Sequence, residues 1–195
     1  MSEVIIKIDP RNPADYAKFL QCKKLPTYDV MGWDVVTTQD AYNWLFRSAN
    51  NTPLKVENAR LFDYQTAVAN KALSRKKYAA WLDCGLGKTG IMLHWAQEVA
   101  KVGKVLMLCP LSVIGEFYND AKKFGIASNI TNLRETNLKW SDGIGIVNYE
   151  YVRDIDTRGV SGIALDESSI LKNGEGETKN WLCSLANGIE YRLAC

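Results

Sequence analysis

The stretch Trp81-Leu-Asp-Cys-Gly-Leu-Gly-Lys-Thr89 constrains the fold more than any other part of the chain. The run Tyr78–Leu82 reads as a strand, and Thr89–Lys101 reads as a helix. A strand that feeds a glycine-rich loop and then a helix is the context a phosphate-binding loop requires. Gly85 and Gly87 allow backbone N–H groups to turn inward toward phosphate oxygens. The helix start adds partial positive charge. Lys88 supplies a full charge for the outer phosphates, and Thr89 offers a hydroxyl to Mg²⁺. Leu82 stands where the full Gly-x4-Gly-Lys-Thr pattern has its first glycine.

Around this loop the pattern is regular. Strands are expected at Val105–Cys109, Ile144–Val147, Ile163–Leu165 and from Tyr191. Helices are expected at Leu61–Leu73, Thr89–Lys101 and Gly115–Phe124. Short apolar strands alternating with helices predict a parallel sheet covered on both faces, an α/β domain. The first 58 residues read differently. A helix is expected from Pro13 to Leu20, then two strands over Tyr28–Val36 around a turn at Gly32. Thr38 and Asp40 are candidate caps for a helix carrying Tyr42, Leu45 and Phe46, and Asn50–Pro53 reads as a breaker. The expected division is a small α+β segment over 1–58 and a nucleotide-binding domain over 59–195.

Composition narrows the chemistry. Lys and Arg total 24 against 22 Asp and Glu, a net charge of +2, so any basic surface must be local. The one histidine, His94, excludes a multi-histidine metal site, and the cysteines (Cys22, Cys84, Cys109, Cys183, Cys195) show no Cys-x-x-Cys spacing. No apolar run reaches transmembrane length. A reducing cytoplasm is the expected setting. Most of the tryptophans (Trp33, Trp44, Trp81, Trp95, Trp140, Trp181) are expected in the core or half-buried. Arg75-Lys-Lys77 reads as a solvated turn.

A second signal is Gly162-Ile-Ala-Leu-Asp-Glu-Ser168. At the carboxyl end of a buried strand, Asp166 and Glu167 would sit beside the phosphate loop. Asp166 can hold Mg²⁺, and Glu167 can orient and deprotonate a water.

In order, these segments resemble the first RecA-like domain of the superfamily-two helicases and translocases, in the Swi/Snf-type and phage-encoded DEAD/DEAH-like branch. Leu61-Phe-Asp-Tyr-Gln65 resembles the glutamine motif, and Asp83–Thr89 resembles motif I, whose first glycine this branch often lacks. Cys109–Val113 resembles motif Ia, and Ile146–Glu150 resembles motif Ib. Leu165–Asn173 resembles motif II with its Lys-Asn tail, and Tyr191–Cys195 resembles the strand entering motif III.

The resemblance implies ATP and Mg²⁺ as cofactors. Cys84, Gly85, Leu86, Gly87, Lys88, Thr89 and Gly90 would form the nucleotide loop. Gln65 would read the adenine edge, and Phe62 or Tyr64 would stack on the base, with core packing as the other reading. Thr89 and Asp166 would hold Mg²⁺, with Lys88, Asp166 and Glu167 as the catalytic set. Ser112, Asn148 and Tyr149 would contact a nucleic-acid strand, DNA rather than RNA, with a capped strand end as the other reading for Asn148 and Tyr149. A second RecA-like lobe with its arginine finger is expected in cis or in trans, since nothing in residues 1–195 resembles it. The chain is therefore expected to bind ATP–Mg²⁺ and hydrolyse it weakly. No membrane partner is expected. A one-domain P-loop enzyme and a non-catalytic nucleotide-gated adaptor are the alternative readings.

Overall fold

The computed structural model describes residues 3–39, 41–42, 53–57, 60–169 and 177–195. Leu45, Phe46, Trp44 and the Lys172–Asn173 tail lie outside the described residues. The chain forms two compact units, Met1–Thr52 and Pro53–Cys195. The division falls a little before the expected boundary, because Leu54 and Val56 pack into the second unit's core. The Val56 backbone is held on both sides by the Asn70 amide, at 2.8 and 3.1 Å.

In the first unit, β1 (Glu3–Ile6), α1 (Pro13–Cys22), β2 (Tyr28–Met31) and β3 (Asp34–Thr38) build an antiparallel sheet in the order β1-β3-β2. The β2–β3 turn uses Gly32 at φ 66°, the positive angle a two-residue hairpin requires. Ile6, Ile8, Cys22, Leu25, Val35 and Ala41 form its core. Thr38 accepts a hydrogen bond from the Ala41 N–H at 3.3 Å, the expected helix cap.

The second unit has one fully parallel sheet. Its strands are β4 (Lys77–Ala79), β5 (Lys104–Cys109), β6 (Ile130–Asn132), β7 (Ile144–Asn148), β8 (Val160–Leu165) and β9 (Tyr191–Ala194), in the spatial order β4-β9-β8-β5-β7-β6. The two-residue period of β5 divides the core. Val105, Met107 and Cys109 meet α2 (Asp63–Arg75), α3 (Lys88–Val99) and α4 (Ile114–Phe124) on one face. Leu106 and Leu108 meet Leu182 of α5 (Glu177–Asn187) and the 3₁₀ turn Tyr149–Asp154 on the other. The result is the expected three-layer α/β domain. Helix α3 is buried from Gly90 to Ala96, which explains its apolar residues on every side.

Elements differ from expectation where local pattern is weak. Strand β4 stops at Ala79, and the chain leaves the sheet through a turn closed by the Leu82 N–H on the Ala80 carbonyl at 3.0 Å. Strands β1 and β6 are additional, each too short to show a period. The Arg75–Lys77 turn is ordered by more than solvent: Lys76 pairs with Glu190 and lies 5.6 Å from the Tyr191 ring centre.

Candidate active site

The carboxyl ends of β4, β8 and β9 meet in register, with Ala79 opposite Ala194 and Ala194 opposite Leu165. This places the loop after β4, Glu167 after β8 and Cys195 around one cavity of about 550 Å³. Trp81, Asp83, Lys88, Glu167 and Ser168 line it.

Gly85 and Gly87 adopt φ of 82° and 70°, which a side-chain-bearing residue rarely adopts. Gly87 precedes the first turn of α3, so the loop's N–H groups gather at the positive end of a helix. The Lys88 ammonium donates to the carbonyls of Leu82 at 3.1 Å and Asp83 at 3.5 Å. The lysine is therefore held over the loop. Cys84 and Leu86 are exposed, and Thr89 is half-buried at the helix start. Gly90 is small for packing, because a Cβ there would come within 2.9 Å of Leu61 and Phe124.

Gln65 is buried and joins α2 to the loop. Its Oε1 accepts from the Phe62 N–H at 3.0 Å, and its Nε2 donates to the Leu86 carbonyl at 3.1 Å and the Tyr64 hydroxyl at 3.4 Å. The Tyr64 hydroxyl donates to the same Leu86 carbonyl at 3.1 Å. Phe62 and Tyr64 stack on one another and are exposed, so neither is a core aromatic.

Asp166 is half-buried, and Glu167 is exposed at φ 55°. Burial pushes the Asp166 carboxyl above its ordinary range, the Glu167 charge adds to this, and the Lys88 ammonium opposes it. Burial beside Asp166 also pushes the Cys195 thiol up to about 12, so it stays protonated at neutral pH. Lys88, Asp166 and Glu167 thus converge at one end of the sheet.

Burial separates the two readings of Asn148 and Tyr149 and sets Trp81 apart from most of the tryptophans. Asn148 and Tyr149 are only 3% and 6% exposed, so their side chains do not face a strand lying on the surface. Asn148 donates to Glu150 at 2.7 Å, and Tyr149 packs in the core, its hydroxyl donating to the Asp166 carbonyl. Ser112 is exposed, on a 3₁₀ turn after β5. Trp81, unlike the burial expected of most tryptophans, is 87% exposed at the cavity wall. Sequence reasoning also passed over Ser168, Ser169 and Cys195 as cavity residues. A second cavity of about 620 Å³ opens beyond β5 and β7, where Arg134 lies 5.3 Å from the Tyr151 ring centre.

No protein-family model matches the chain, and no curated protein matches it either. Solved structures do. The Sulfolobus solfataricus SWI2/SNF2 ATPase core in complex with dsDNA is 22% identical, with a TM-score of 0.56 over 73% of this chain and 32% of that one. The UvsW helicase from bacteriophage T4 is 15% identical, with a TM-score of 0.57 over 76% of this chain and 57% of that one. The chain therefore spans about a third and just over half of these two proteins. What the likeness establishes is the fold, a RecA-like α/β domain.

Proposed function

We propose that this chain is the ATP–Mg²⁺-binding lobe of a nucleic-acid-dependent ATPase of the helicase or translocase kind. The observation that carries the reading is a cavity lined by both Glu167 and Lys88, the lysine poised over a loop with two positive-φ glycines, with the Asp166 carboxyl near enough to feel both charges. The residues present fit the cofactor. Loop N–H groups and Lys88 suit a polyphosphate, and a hydroxyl with one carboxylate suits Mg²⁺, which draws its other ligands from phosphates and water. When bound, Mg²⁺ would neutralise charge that develops on the transferred phosphoryl group.

Each residue then has a defined task. Lys88 exchanges its carbonyl partners for phosphate oxygens. Thr89 and Asp166 would hold the metal. Glu167, exposed at the mouth, accepts a proton from the attacking water. Gln65 is proposed to read adenine, for which its Nε2 must exchange the Tyr64 hydroxyl for the base. The dsDNA in the SWI2/SNF2 structure supports a nucleic-acid partner here. With Asn148 and Tyr149 turned inward, exposed Ser112 and the Arg134–Tyr151 pair are better placed to touch it.

The test is thermal stability. ATP with Mg²⁺ should raise the melting temperature, because a ligand that binds only the folded state stabilises it. Lys88→Ala should remove the shift. A wild-type chain whose melting does not respond to millimolar ATP would overturn the reading.

A further inference from the structure

We propose that Tyr149 is a positioning residue for the candidate site: its phenol hydroxyl holds the Asp166 carbonyl, and through it the turn that aims the two carboxylates. The inference rests on the nucleotide-site reading above.

Tyr149 is 6% exposed and donates to the Asp166 carbonyl at 2.5 Å. That carbonyl belongs to the peptide joining Asp166 to Glu167, so its direction sets the plane about which φ of Glu167 turns. Glu167 is left-handed at φ 55°. Such a backbone persists in a non-glycine residue only where the surroundings over-determine it.

Three hydrogen bonds clamp this turn. The Asp166 N–H donates to the Leu108 carbonyl at 2.8 Å, and the Ser168 N–H donates to the Cys195 carbonyl at 2.8 Å. Both of these continue the sheet ladder. The third comes from the Tyr149 side chain and acts on the central peptide.

The ring and the hydroxyl have separable roles. The ring fills core space among Leu106, Leu108 and Val147, as phenylalanine would. The hydroxyl alone reaches the turn.

The experiment measures ATP affinity of the 195-residue chain with and without Mg²⁺, for wild type, Tyr149→Phe and Asp166→Asn. Without Mg²⁺, Tyr149→Phe should bind as wild type does, since Lys88 and the loop N–H groups do not depend on this bond. With Mg²⁺, wild type should tighten. Tyr149→Phe should lose about three- to tenfold of that tightening, the effect of one removed hydrogen bond. Asp166→Asn should lose the tightening altogether. A Tyr149→Phe chain that melts lower yet keeps the full Mg²⁺ effect, or that weakens equally with and without Mg²⁺, makes the hydroxyl merely structural and overturns the inference. A wild-type chain that binds no ATP fails before any variant is compared; the nucleotide-site reading then falls, and this inference falls with it.

Discussion

Gly87 carries two constraints at once. Its φ is 70°, and a Cβ there would lie 2.2 Å from Gln65 Nε2. Gly87→Ala should therefore displace the buried Gln65 amide as well as strain the loop. A loss of about 1–3 kcal/mol is expected in urea unfolding, together with loss of the ATP-dependent melting shift. Gln65→Ala acts on the same junction and should reduce any preference for ATP over GTP more than it reduces pyrophosphate binding; competition binding checks this. Asp166 shows the opposite compromise. Its carboxyl is pushed up, so the native state keeps that proton to higher pH than the unfolded chain. Stability from this group therefore falls as pH rises through the interval between the ordinary carboxylate value and the raised one. Asp166→Asn should flatten that decline and raise the nucleotide-free melting temperature at neutral pH, while abolishing the Mg²⁺ response.

At the scale of elements, β8 and α3 approach closely because Gly162 has no side chain. A Cβ there would lie 2.7 Å from Val99 Cγ1 and 3.3 Å from Trp95 Cη2. Gly162→Ala should cost about 1–3 kcal/mol by overpacking. Because β8 leads directly into Asp166, the nucleotide-induced shift should shrink as well. Both are read from denaturation with and without ATP. Long apolar elements such as β5, β7 and α3 were legible in the sequence because burial on both faces makes their composition uniform. Strands β1 and β6 were not. With four and three residues, they are strands only because a neighbour pairs with them.

For the whole molecule, Lys88 is the only cation among the described residues lining the first cavity. In the proposed site it would serve one side of a bound triphosphate. An arginine from a second lobe would serve the other, and such a group is worth about 10³–10⁵ in rate, or roughly 4–7 kcal/mol of barrier. Purified residues 1–195 should thus bind ATP and hydrolyse it near background. Adding a second RecA-like lobe should restore turnover, and Glu167→Gln should remove it again while sparing binding. Robust nucleic-acid-stimulated turnover by the 195-residue monomer would contradict this. Nucleic-acid affinity of the single lobe should be weak and fall steeply with salt, as titrations at several ionic strengths would show.

The order of strand, glycine loop, helix and acid-ended strand lies in local chemistry, and the sequence by itself determined it. Positive-φ glycines, a following lysine and a β-rich run ending in two acids carry their meaning wherever they occur. Which side chains face the site was a tertiary decision. Asn148 and Tyr149 stand in a run whose residues read equally well as strand end or surface contact. They point inward because β7 is covered on both faces and Tyr149 finds the Asp166 carbonyl. Trp81 is exposed for the converse reason: β4 is an edge strand that stops at Ala79, so the chain beyond it leaves the sheet before any layer can cover that ring. Local pattern names the groups that chemistry needs, whereas burial depends on neighbours distant in the chain.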